Sequence, residues 1–116
     1  MPTPARDPIC RLADVPDGDA RGFEIVRADG RRIPVIVVRR GERAFVYRNR
    51  CPHRGTPLDW LPDRFLDAER RHLICATHGA LFRFEDGVCI SGPCAGDALE
   101  PIDVRIEAGV VVPTGP

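Results

Sequence analysis

The chain contains no lysine; all 17 of its basic side chains are arginine. A Schiff-base or catalytic lysine is therefore excluded. Net charge is missing too, because 17 acids balance the 17 arginines. A duplex-DNA binder normally carries a positive excess, so no nucleic-acid partner is expected. Long apolar runs are absent. The longest, residues 35–38 with Ile33 and Pro34 just ahead, stops at Arg39 and Arg40, far short of a bilayer span. The opening MPTPARDPIC lacks the apolar core of a secretory leader. Together these absences predict a cytoplasmic protein with no membrane partner. An even cysteine count is also lacking: five cysteines fit poorly with a fully paired disulfide framework. In a reducing compartment, clustered Cys and His are better read as metal ligands. What is present is an ordinary globular composition, 43 % hydrophobic and 29 % charged over 116 residues, enough for one domain with a thin core.

The first eight residues hold three prolines and read as a flexible arm, leaving residues 9–116 as a single domain. Strand-length apolar runs punctuated by Gly and Asp cover residues 9–13, 23–27, 32–39 and 44–48. Strand signals return at residues 73–74, 81–84, 88–90, 102–106 and 110–112. In the run 102–106, Ile102, Val104 and Ile106 alternate with Asp103 and Arg105, the pattern of a half-buried strand. Residues 59–68 are short and turn-rich, with Pro62 opposing a long helix. Many short strands without a convincing helix predict an all-β domain, a small sandwich or barrel. The charge divides unevenly along the chain. Residues 1–50 hold 11 arginines against 7 acids, and residues 51–116 hold 6 against 10.

Residues 51–79 are dense in Cys, His, Pro and Gly and poor in β-branched residues, so something other than apolar packing must order them. Here Cys51-Pro52-His53 is followed, after 21 intervening residues, by Cys75-Ala76-Thr77-His78. Each half offers one sulfur and one imidazole, and a glycine follows in each, Gly55 and Gly79. Glycines let backbone amides approach a centre closely. Two metal readings fit. A Cys2His2 set can hold tetrahedral zinc, although the usual zinc spacing segregates cysteines from histidines. The alternative is a [2Fe–2S] centre with two cysteines on one iron and two histidines on the other.

The residues CPHRGTPL (51–58) and CATHGALF (75–82), followed by Gly87 and the pair Gly92-Pro93, resemble the Rieske iron–sulfur family. With the flanking strands the resemblance runs from about residue 9 to residue 112. It implies a Rieske-like antiparallel β fold whose cluster-binding subdomain, about residues 50–93, is built on two loops. It also implies one [2Fe–2S] cluster per chain. Cys51 and Cys75 would bind one iron, and His53 and His78 the other, exposed one. Arg54, Gly55, Thr56, Thr77, Gly79, Ala80 and Phe82 would surround the cluster, with Gly92 and Pro93 packed over it as a third loop.

Departures from the family pattern refine the expectation. High-potential members join the two loops by a disulfide; Thr56 and Thr77 stand in those places here. Those members also place a serine and a tyrosine as donors to cluster sulfurs, where this chain has Ala80 and Phe82. Fewer donors disfavour the more negative reduced state, which points to the low-potential, ferredoxin-like branch. The gap before Cys75 is a few residues longer than in typical small members, with the surplus near residues 60–71. Trp60, Phe65 and Leu66 there cap the cluster side, form a partner patch or, as favoured, make a local mini-core under a longer loop.

With both irons ferric the centre would be neutral, and one added electron makes it negative. Imidazole protonation would couple to reduction only at high pH. The resemblance thus implies a monomeric one-electron carrier without a turnover site, passing electrons from a flavin-dependent reductase to an oxygenase. Its rivals are a small subunit of a larger reductase of the nitrite-reductase type and a zinc-stabilised interaction module.

Outside the motif, Cys89 and Cys94 flank the third loop. They are either a disulfide or redox-active pair, or two small buried residues, the favoured reading. Cys10 reads as core and His72 as a surface or partly packed strand residue. Asp59, Asp63 and Asp67 recur at four-residue intervals and read as a solvated face rather than a metal cluster.

Overall fold

In the computed structural model, residues 8–27, 29–52, 55–59, 63–75, 79–92 and 94–114 are described. The expected arm falls almost wholly outside them. Ten strands occur among these residues: β1 (Cys10–Arg11), β2 (Ala20–Val26), β3 (Arg32–Arg40), β4 (Arg43–Arg48), β5 (Leu73–Ile74), β6 (Leu81–Phe82), β7 (Cys89–Ser91), β8 (Pro101–Ile102), β9 (Val104–Glu107) and β10 (Val110–Pro113). They form three sheets, ordered β1-β10-β9, β2-β3-β4-β8 and β5-β6-β7. Every pairing is antiparallel. The all-β expectation is met. Among the described residues no helix is long and apolar enough to cross a membrane.

β3 explains why its sequence does not alternate. Val35 and Val37 are buried in one core with Cys10, Leu12, Val15, Ile33, Val46 and Val111. Ile36 and Val38 are buried in a second core with Tyr47, Leu58, Phe65, Phe82 and Leu99. Successive side chains of a strand point to opposite faces, so a strand covered on both reads as a continuous apolar run. The second core also holds Cys51, Cys75, Cys89 and Cys94, and so lies on the side of the motif loops.

Three sequence expectations need correction. The run 102–106 is not one half-buried strand. β8 pairs with β4, whereas β9 pairs with β10, so the chain changes sheets at Asp103. Ile106 is consequently exposed. The first run is strand only at Cys10–Arg11 and then turns into a 3-10 helix, Leu12–Asp14, where the Asp14 carboxylate accepts from the Arg11 amide. The run 81–84 pairs only over Leu81–Phe82, because a turn at residues 84–86 begins there.

The long segment before Cys75 is held by short local devices. Phe65 is fully buried in the second core, and Leu66 bridges to Leu73. Phe65 lies against Gly22, where an added Cβ would meet Phe65 Cζ at 3.4 Å. The mini-core expectation therefore holds for Phe65; Trp60 lies outside the described residues. The three aspartates are not a free solvated face. Asp59 accepts from Asn49, Asp63 accepts from the Gly22 amide at 2.7 Å, and Asp67 accepts from the amides of Arg71 and His72. Among the described residues none of them belongs to a group of ligands able to hold a metal.

Candidate metal centre

The two motif loops close in the same way. The Cys51 amide donates to the Thr56 carbonyl at 2.8 Å, and the Gly55 amide donates to the Cys51 carbonyl at 2.7 Å. In the second loop the Cys75 amide donates to the Ala80 carbonyl at 2.9 Å, and the Gly79 amide donates to the Cys75 carbonyl at 2.8 Å. Each cysteine thus opens a turn sealed five residues later, with a glycine in the fourth place. Gly55 and Gly79 have φ of 73° and 71°, a left-handed backbone in which other residues are strained. Unequal Cys-to-His spacings are therefore carried on loops of equal Cys-to-Gly length.

Both cysteines are nearly inaccessible, Cys51 at 2 % and Cys75 at 1 % exposure, and neither forms a disulfide. The first loop is anchored by Asn49, a residue that sequence reading missed. Its Oδ1 accepts from the Leu58 amide at 2.8 Å, and its Nδ2 donates to Asp59 at 2.9 Å. No motif spacing could have revealed it; the only signal was an Asn just ahead of the first Cys. The second loop sits between β5 and β6, whose pairing of Leu73 with Phe82 and Ile74 with Leu81 sets its mouth.

The third loop follows β7 and lies directly on the second. An added Cβ at Gly92 would meet Ala80 Cα at 2.8 Å, so only glycine permits this approach. Ala80 and Phe82 are buried, Thr56 and Gly79 exposed. Apolar side chains thus stand where the resemblance placed hydroxyl donors. Behind the loops, the buried Tyr47 hydroxyl donates to the Phe84 carbonyl at 2.6 Å. Burial, with help from Asp86 and Glu85, raises the phenol well above its ordinary pKa.

The Cys89 and Cys94 sulfurs lie 3.1 Å apart without a bond between them, and Cys89 Sγ donates to the Ser91 carbonyl at 3.2 Å. Burial first, and then the neighbouring thiols of Cys89 and Cys51, push the Cys94 thiol up to about 12. Cys10 is likewise pushed up to about 11 by burial and by Asp14, as expected of a core thiol. His72 is half-buried, with Nδ1 3.4 Å from Asp67. Four of the residues named from sequence, His53, Arg54, Thr77 and His78, lie outside the described residues, as does Pro93.

Two loops that open on buried cysteines in matching turns thus share one core, and the third abuts the second at Ala80. This is a small antiparallel β domain built to hold a metal centre between loops. Residues 5–109 match the Rieske [2Fe-2S] domain, and the chain belongs to that family. Comparison with curated proteins finds no significant match. Among solved structures, the chain is similar to the ferredoxin of carbazole 1,9a-dioxygenase from Nocardioides aromaticivorans IC177. That match has 23 % identity, a TM-score of 0.71, and covers 92 % of this chain and 94 % of that one. A chain from the complex of reduced oxygenase and oxidized ferredoxin in carbazole 1,9a-dioxygenase matches at 26 % identity and TM-score 0.70, covering 94 % and 92 %. The terminal oxygenase of carbazole 1,9a-dioxygenase from Novosphingobium sp. KA1 matches at 24 % identity and TM-score 0.72, covering 92 % of this chain but only 28 % of its own.

The residues present fit the cluster that defines the family. Two deeply buried cysteines outside any disulfide, on loops of equal closure, supply the soft thiolate donors that iron–sulfur clusters take.

Proposed function

We propose that this protein is a Rieske ferredoxin that carries single electrons from a flavin-dependent reductase to an oxygenase in the cytoplasm. The family match over residues 5–109 carries the reading. The relative seen in complex with an oxygenase supports the partner class, since it is matched over nearly the full length of both chains. In this reading Cys51 and Cys75 hold one iron, and His53 and His78 hold the other. The residues 9–116 form one domain around the site, which occupies about residues 50–93.

When bound, the cluster supplies a one-electron couple between a neutral and a singly negative state. The protein does the rest. The Cys51 and Cys75 thiolates are presented from buried positions, so water is kept from the sulfur end. Sealed turns at Gly55 and Gly79 fix the cysteine backbones, which limits rearrangement as charge changes. Ala80 and Phe82 surround the loops without hydroxyl donors, leaving the added negative charge less stabilised. The potential accordingly belongs near the bottom of the roughly −150 to +300 mV Rieske range. Partner docking for such exchange uses a small, weak interface.

The test is an EPR-monitored redox titration of anaerobically purified protein. A brown protein with a reduced-state signal whose average g lies below two, typical of mixed His and Cys ligation, is expected. Its midpoint should fall near the lower end of the range. His53→Ala and His78→Ala should each abolish that signal. A colourless protein containing one zinc refutes the cluster, and a midpoint near the upper end refutes the low-potential reading.

A further inference from the structure

One cation stands directly on the first motif loop. Arg50 precedes Cys51, its amide donates to the Arg48 carbonyl at 2.8 Å, and its side chain lies over Gly55. An added Cβ at Gly55 would meet Arg50 Nε at 3.2 Å and Nη2 at 3.3 Å, so the missing side chain gives the guanidinium its seat. Arg50, Gly55, Thr56 and Pro57 are all exposed. Among the described residues no carboxylate pairs with Arg50, whereas Arg48, two residues earlier, pairs with Glu100. The segment 50–56, RCPHRGT, holds two arginines and no acid. The next acid along the chain, Asp59, is held by Asn49. The described residues of the second loop, 75 and 79–82, carry no charged side chain. The acid of the third loop, Asp97, follows its turn, where its carbonyl accepts from the Cys89 amide.

We propose that Arg50 is the contact point for the electron partner, receiving a surface carboxylate of that protein at the rim of the first cluster loop. The proposal rests on the reading of residues 51–56 as a cluster loop. A guanidinium presents a planar fork that matches a carboxylate with two parallel hydrogen bonds, and it is more weakly hydrated than an ammonium. The chain as a whole is neutral, so net charge selects no partner and the sign of the charge at the loop must do so. An exposed ion pair adds little to affinity, which suits brief docking, but it orients the encounter and speeds it. Gly55 thereby serves recognition as well as loop closure, because any side chain there would displace the guanidinium.

Stopped-flow oxidation of the reduced, cluster-loaded protein by two small ions reads the charge at this place: anionic hexacyanoferrate(III) and cationic hexaammineruthenium(III). In the wild type the hexacyanoferrate rate should fall and the ruthenium rate rise between about 0.01 and 1 M ionic strength, as the screening length shrinks from roughly 30 to 3 Å. Arg50→Gln should lower the ratio of the two rates at low salt by about twofold to fivefold, and Arg50→Glu by more. Arg105→Gln removes the same charge from β9, in the sheet on the other core, and should leave the ratio unchanged. A second readout needs no electron transfer. The redox-inert paramagnetic anion hexacyanochromate(III) should speed relaxation of the EPR signal of the reduced wild type, and less so in Arg50→Gln. A wild-type hexacyanoferrate rate that rises with salt overturns the proposal. So does an equal ratio in Arg50→Gln and Arg105→Gln, or a chromium effect indifferent to Arg50. Failure of the wild type to show a [2Fe–2S] spectrum would instead overturn the functional reading itself.

Discussion

Replacing Asn49 by alanine removes two hydrogen bonds at once, one to the Leu58 amide and one to Asp59. It also leaves a partly buried amide without its acceptor, which costs about 1–3 kcal/mol. Asn49→Ala should therefore lower the melting temperature and reduce the cluster absorbance per chain, because the first loop loses its anchor. Thermal denaturation and iron analysis of the same preparation check both effects. Legibility at this scale was uneven. Cys51 and Cys75 announced themselves by spacing, and their burial on matched turns agrees with that announcement. Asn49 could not be found that way, since its role depends on where Leu58 and Asp59 return in space. The same holds for Asp59, Asp63 and Asp67. Their four-residue spacing suggested a common face, yet each serves a different partner: Asn49, the Gly22 amide, and the amides of Arg71 and His72.

At the scale of the element, the turn at residues 67–72 shows how the chain is led into β5. The Asp67 carboxylate receives the amides of Arg71 and His72, and the Asp67 amide donates to the His72 carbonyl at 3.0 Å. Burial alone would raise its pKa, but those amides and the His72 ring outweigh it and hold the carboxyl below its ordinary range. A depressed native pKa stabilises the fold above the unfolded value of about 3.9. That stabilisation is lost as pH falls through the native pKa. Urea denaturation between neutral pH and pH 3 should show an acid-side loss of stability that shrinks in Asp67→Asn, and the variant should be less stable than wild type at pH 7. The strand 102–106 teaches the complementary lesson. Its alternation was legible, but alternation does not state which sheet each half joins, and the change of sheet at Asp103 exposes Ile106.

For the whole molecule, the two cores divide the labour. The core formed by Cys10, Leu12, Val15, Val35, Val37, Val46 and Val111 contains none of the candidate ligands, whereas the other holds Cys51 and Cys75. Removing the metal should leave the first core intact. Hydrogen exchange of the metal-free protein should therefore keep the amides of β2, β3 and β10 protected, while those of Gly55 and Gly79 become exchangeable. Uniform loss of protection would show instead that both cores depend on the cluster. The class of fold was legible from strand-length runs and the absence of helical periodicity. The number of cores was not, because an apolar run such as residues 33–38 reports burial on both faces without saying what lies on each.

β3 gives this arrangement its firmness. Odd-numbered Val35 and Val37 serve one core and even-numbered Ile36 and Val38 the other. Sliding the strand by one residue would exchange the occupants of the two interiors. Because those occupants are of similar size, volume alone would hardly forbid the exchange. What forbids it is the ladder, which ties Ile36 to both Gly22 and Tyr47, and Tyr47 in turn to the turn behind the metal loops. The phenol of a single tyrosine thus acts as the vernier that keeps the metal side of the molecule in step with the sheet beneath it.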